Sequence, residues 1–161
     1  MGIINTELVL RLFNIIPLSI LITYFAYIAY TDYNYRKIPD KANLALIISR
    51  FLLIPLGFDL TADEIWGALA MFVLFFTVAF KFNMPIGGDI KAATVTALYL
   101  GIGFSIVVNI GAILVSLIWY FWFKDEVLKN NMHIPYGTML MISFGISMLG
   151  FYCFLKWFWK E

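Results

Sequence analysis

The chain has 161 residues, of which 63% are hydrophobic, 19% aromatic and only 13% charged, with a formal net charge of +1. Soluble domains carry about 25% charged residues and about half apolar ones, so an ordinary soluble domain is excluded and this is an integral membrane protein. No basic run exceeds Arg36-Lys37, so nothing points to nucleic acid, and a lone Cys153 rules out a disulfide or CxxC zinc site within one chain.

A span needs about 20 mainly apolar residues. The length therefore admits five or six helices and leaves no room for a separate soluble domain. The expected fold is all-α: a polytopic bundle of about six transmembrane helices, with residues 1–161 forming one membrane-embedded domain. The N-terminus lacks the features of a cleavable signal peptide, because Glu7 precedes Arg11 and no small-residue cleavage site follows the long apolar run. It reads as a retained first span from about Leu12 to Tyr30, with Asp32 following at its end.

The polar stretch from Tyr33 to Lys41 comes next. Pro39 suits a helix start, so a second span is expected from Asp40 to about Phe58. Arg50 lies inside it and either snorkels along its stem or pairs with a buried acid. Asp59, Asp63 and Glu64 read as a solvated loop leading into a third span, which ends at Phe82.

Pro85-Ile86-Gly87-Gly88-Asp89-Ile90-Lys91 then interrupts two strongly apolar runs. A carboxylate close to lipid costs about 2.5–3.5 kcal/mol at a helix centre, which makes Asp89 a functional candidate. The two glycines offer backbone conformations closed to other residues and allow another chain to approach. Asp is also a favoured helix cap, and a Gly-Gly-Asp loop with a capping Asp is the ordinary alternative. The run from Ile90 to Leu100 reaches only about 16 Å before Gly101-Ile102-Gly103. Either the helix continues through Gly101, or it starts below the membrane surface and sets Asp89 in a recess. A fifth span covers about Ile102 to Phe123. A polar loop follows, in which His133 reads as solvated, and Pro135-Tyr136-Gly137 opens a sixth span reaching Phe158.

Positive charge orients this arrangement. Arg36, Lys37, Lys41, Lys81, Lys91, Lys124 and Lys129 fall on one side, and only Arg11, Lys156 and Lys160 on the other. The first side is expected to be cytoplasmic, with both termini outside and Asp32 and Asp89 sharing the cytoplasmic face. Two carboxyls at one depth in a low dielectric resist double ionisation and titrate as a unit. One can take a proton from water while the other polarises a peptide carbonyl. That is aspartic-protease chemistry, and it needs no metal, cofactor, serine or cysteine. Lys91 either holds the loop and neutralises charge or is an ordinary interfacial lysine.

These residues resemble the type IV prepilin peptidases, the GxGD class of membrane aspartic proteases. Asp32 with Arg36, Ile38 and Pro39 is similar to the family's first-aspartate pattern. Gly87-Gly88-Asp89-Ile90-Lys91 resembles the second. Ile134-Pro135-Tyr136-Gly137 is similar to the Ile-Pro-Phe-Gly that opens the last span. Three departures stand out: Ile86 replaces the first glycine of GxGD, Asp40 replaces a usual Asn, and Thr138 replaces a frequent proline.

The resemblance implies Asp32 and Asp89 as the catalytic pair, with loop support from Arg36, Ile38, Pro39, Gly87, Gly88, Lys91, Pro135 and Gly137. It implies cleavage of a short basic leader from prepilin-like or preflagellin-like precursors at the cytoplasmic face of the cell membrane. The chain looks like the short form without the cysteine-bearing domain, so no methyltransferase activity is expected. A small ion- or proton-coupled transporter using the same acids is the alternative; only one clear helix break, at Gly87-Gly88, supports it. A non-catalytic assembly subunit would be expected to have lost one aspartate, and both are present.

Overall fold

A computed structural model describes residues 14–82, 87–124 and 135–158. Glu7, Arg11, Pro85, Ile86, Lys129, His133, Ile134 and Lys160 lie outside the described residues. Among the described residues all regular structure is helical: α1 (Ile15–Tyr35), α2 (Asp40–Leu52), α3 (Ala62–Phe82), α4 (Gly87–Trp122) and α5 (Tyr136–Phe158), with a short 3₁₀ turn at Ile54–Leu56.

The all-helical membrane architecture agrees with the sequence reading, but the count of six does not. There are five helices among the described residues, and four of them, α1, α3, α4 and α5, are long and apolar enough to cross a membrane. Two local causes account for the difference. The segment expected to run from Asp40 to Phe58 stops being α-helical at Leu52, just before Pro55, which carries no N–H and tightens the chain into the 3₁₀ turn. Its 13 residues reach only about 20 Å. The expected fourth and fifth spans are the two limbs of one helical stretch, α4, joined at Gly101, which alone departs from helical geometry (φ 66°, ψ 177°).

That departure turns the chain back on itself. Gly88 lies beside Ile38 at the Asp32 end of the bundle. Twenty-one residues later, Asn109 is reached by Tyr136, whose neighbour Gly137 bonds to Asp32. A straight helix would hold residues 88 and 109 about 31 Å apart. Between them the chain goes deeper: Tyr99 meets Ser49 at 2.5 Å, and Phe104 packs against Phe144. The limb before Gly101 therefore leads away from Asp32, and the limb after it returns. Left-handed φ there suits glycine alone.

Helix ends follow their caps. Asn14 accepts the Ile16 N–H at 3.3 Å and opens α1. Arg36 closes it in the left-handed region (φ 53°), donating its N–H to the Asp32 carbonyl at 2.9 Å. No glycine or proline intervenes before Pro39, so α1 runs past Tyr30 and carries Asp32 within its last turn, not beyond its end.

The core is built from fully buried Leu21, Phe25, Ile28, Leu100, Val108, Met139 and Leu140 on α1, α4 and α5. Phe72, Phe76, Phe80, Ile113 and Trp157 remain exposed on the outer surface, as expected where lipid is the solvent. α3 docks on the Gly101 corner through Gly67, where an added Cβ would lie 2.7 Å from the Ile102 nitrogen and 2.8 Å from the Gly101 carbonyl carbon. Both are backbone atoms and cannot swing aside. Gly67→Ala is expected to cost about 3 kcal/mol, the upper range for overpacking, read as a lowered unfolding midpoint in detergent.

Glu64 corrects the sequence reading. It is not part of a solvated loop but is 4% exposed in the first turn of α3, with Arg50 of α2 at 2.7 Å. Arg50 pairs rather than snorkels. Its remaining donors reach the carbonyls of Leu98 (3.1 Å), Phe58 (2.8 Å) and Asp59 (3.0 Å). One guanidinium thus ties α2, the following turn, α3 and the first limb of α4. Asp59 is exposed and Asp63 partly so.

Candidate active site

Asp32 in the last turn of α1 and Asp89 in the first turn of α4 line one cavity of about 730 Å³ at the same end of the bundle. The two acids lie 57 positions apart in the chain; they meet because α1 ends where the first limb of α4 begins. The 36–40 segment supplies the cavity's rim, with Arg36, Lys37, Pro39 and Asp40 all lining it.

Asp32 is nearly enclosed, at 6% exposure. The Gly137 N–H donates to its Oδ2 at 2.6 Å. That N–H is one of the orphan donors in the first turn of α5, so a helix start presents a preorganised donor to the carboxylate. A Cβ on residue 137 would stand 3.1 Å from the Ile28 carbonyl oxygen and 3.2 Å from Asp32 Oδ2. A side chain there would force α1 or α5 to give by a few tenths of an ångström. Gly137→Ala is expected to cost about 1–3 kcal/mol by overpacking and to loosen the Asp32 bond, measurable as a drop in thermal stability of the purified protein. Pro135 stands just before α5, its carbonyl accepting the Met139 N–H at 3.1 Å.

Gly87 and Gly88 behave differently from the sequence expectation. Among the described residues only Gly57 and Gly101 have positive φ among glycines, so this pair uses no special backbone freedom. A Cβ on Gly87 would meet nothing within 4 Å, and one on Gly88 would touch Ile38 at an ordinary 3.5 Å. Both belong to the helix, and Asp89 is its third residue rather than a residue before it. The packing need for glycine sits instead at Gly67, Gly111 and Gly137.

Lys91 pairs with Asp40 at 2.7 Å, linking the first turns of α4 and α2. It does not line the cavity. The charge at Asp40 that departs from the family pattern is thereby balanced. Both side chains are more than half exposed, so the pair contributes little. Asp40→Asn is expected to change stability by less than about 1 kcal/mol, checked by chemical denaturation.

Sequence reasoning named neither Tyr136 nor Asn109 as site residues. Tyr136 lines the cavity, packs its ring edge-on against Phe75, and donates its hydroxyl to Asn109 Oδ1. The Asn109 amide donates in turn to the Ser105 carbonyl at 2.7 Å. A signal existed: Asn109 is a buried polar residue in an otherwise apolar run, and such residues need a partner.

The arrangement offers two carboxyls from separate helices lining one cavity, one of them gripped by a backbone donor. Such a pair can activate water and polarise a carbonyl. A comparison with family models finds the type IV leader peptidase family over residues 19–121, a stretch that includes both acids. No curated protein and no solved structure gave a significant match. Since the matched stretch covers well over half of the sequence, this chain belongs to the type IV leader peptidase family.

Proposed function

We propose that the protein is an aspartic endopeptidase that removes the short basic leader from prepilin-like or preflagellin-like precursors, with Asp32 and Asp89 as its catalytic pair. The observation that carries this reading is the shared cavity: two carboxyls on different helices line it together. One carboxylate takes a proton from the attacking water. The other, protonated, donates to the scissile carbonyl and stabilises charge developing on its oxygen. The Gly137 N–H on Asp32 fixes the orientation of one member of the pair.

Residues 1–161 act as one membrane-embedded peptidase domain in the cell membrane. The excess of Lys and Arg on the side carrying the cavity supports a cytoplasmic site, with both termini outside. Arg36, Ile38 and Pro39 support the rim, and Gly87, Gly88 and Pro135 support the helix starts that bring Asp89 and Gly137 to it. The test is processing of a precursor in membranes by the wild-type chain and by variants in either acid.

A further inference from the structure

A second cavity of about 540 Å³ opens between α1 and α2, on the flank of the bundle. Its walls mix small residues, Ser19 and Thr23 on α1 with Ala42, Ala45 and Ser49 on α2, with larger ones such as Ile20 and Tyr27. Buried Tyr24 and Leu46 also line it. The Ser19 and Thr23 hydroxyls are spent on the carbonyls of Ile15 (2.5 Å) and Ser19 (2.8 Å), so they present little unsatisfied polarity to the groove. Tyr27 lines this cavity and also the one holding Asp32 and Asp89. The two spaces are therefore neighbours, with Tyr27 as a shared wall. From there the groove leads away from the acids along α1, toward Ser19, for about 12 Å, or two helical turns.

The geometry points to this groove as the berth of the precursor's own apolar helix, the segment that follows the leader. This rests on the peptidase reading of the neighbouring cavity. A polypeptide whose scissile bond lies between the acids must leave that cavity on one side as the leader and on the other as an apolar helix. The neighbouring groove offers the second exit. The Ser, Thr and Ala positions among its walls let a helix backbone approach closely there, which is what drives helix association in lipid, where burying apolar surface gains nothing. Lys41 also lines the groove and follows Asp40, which lines the first cavity.

The experiment uses the full chain in membranes, with two substrates: a membrane-inserted precursor and a short peptide spanning the same junction but lacking the apolar helix. Ala45→Trp fills the groove without touching the acids; Ile146→Trp, at a 61% exposed position on α5, is the control. Ala45→Trp is expected to raise KM for the precursor at least about 10-fold with kcat little changed, and to leave peptide cleavage and Ile146→Trp unaffected. A photo-crosslinker at residue 45 of an Asp89→Asn chain is expected to capture the precursor helix, and one at residue 146 is not. Unchanged precursor cleavage by Ala45→Trp, with no crosslink from residue 45, would show the groove to be a lipid site and overturn the proposal while leaving the peptidase intact. Equal losses on both substrates would also overturn it, since the groove would then only support the fold. Cleavage of neither substrate by the wild type would remove the peptidase reading and this inference together.

Discussion

Asp32→Asn and Asp89→Asn are each expected to lower precursor processing by at least about 100-fold, the lower bound for losing a positioned acid or base. The two losses should not add, because the acids act as one unit on one water: the double variant should be no worse than the weaker single. Asn keeps the shape and volume of Asp, so the variants test charge and not packing. Asp32→Asn carries one further effect. Its amide can turn its oxygen toward the Gly137 N–H, so the 2.6 Å bond can survive and the fold should hold. Asp89 is only partly buried, so Asp89→Asn should be close to neutral for stability. Processing assayed by gel shift, beside a thermal melt of the same samples, separates the two readouts. Normal processing by either folded variant would end the proposed mechanism. Flux of an ion or proton lost in both, with no processing by the wild type, would favour a transporter.

The largest expected effect on stability lies at the opposite end of α2. Arg50 and Glu64 are 3% and 4% exposed, and each is the other's charge partner. Removing one member of a buried pair costs about 3–5 kcal/mol, because the other charge is left enclosed without compensation. Arg50→Met should fall at the upper end. It strands Glu64 and also removes donors from the carbonyls of Leu98, Phe58 and Asp59. Glu64→Gln should be milder, since Thr61 can still donate its N–H and hydroxyl to the amide oxygen. Arg50→Met combined with Glu64→Met should cost less than the sum of the single changes, as apolar replacement of a buried pair is often tolerated. Guanidinium or detergent unfolding of the four proteins reads the coupling directly. Additive losses would mean that the two side chains do not depend on each other.

Much of the candidate site was readable from residue order. Asp32, Asp89 and the Pro135–Gly137 start could be named because carboxylates, prolines and glycines are costly or disruptive in apolar runs. What was not readable depended on partners distant in sequence. Nothing local says that Gly137 is small for the sake of Ile28 and Asp32, or that Gly67 is small for the sake of Ile102. Glu64 looked solvated because its two acidic neighbours are at least partly so; its burial follows from Arg50, fourteen residues away. The count of spans failed for a related reason. An apolar run signals burial in lipid or protein alike, so Asp40 to about Phe58 read as a span although the α-helix stops at Leu52, before Pro55. At Gly101, break and continuation were both open readings, and the corner combines them, with helix on either side of one left-handed residue.

The corner at Gly101 also makes the two acids mechanically unequal. Asp32 sits on a helix clasped by α5 through Gly137, whereas Asp89 stands twelve residues from the glycine, near the end of a limb about 18 Å long that the exposed Lys91–Asp40 pair ties to α2. Arg50, bonded to the Leu98 carbonyl, steadies that limb near its fulcrum. A swing of about 10° there would carry Asp89 roughly 3 Å, enough to make or break contact with a substrate held against a stationary Asp32. Distances between spin labels on the two helices, with and without precursor, would register such a stroke; an unchanged distance would mean a rigid jaw.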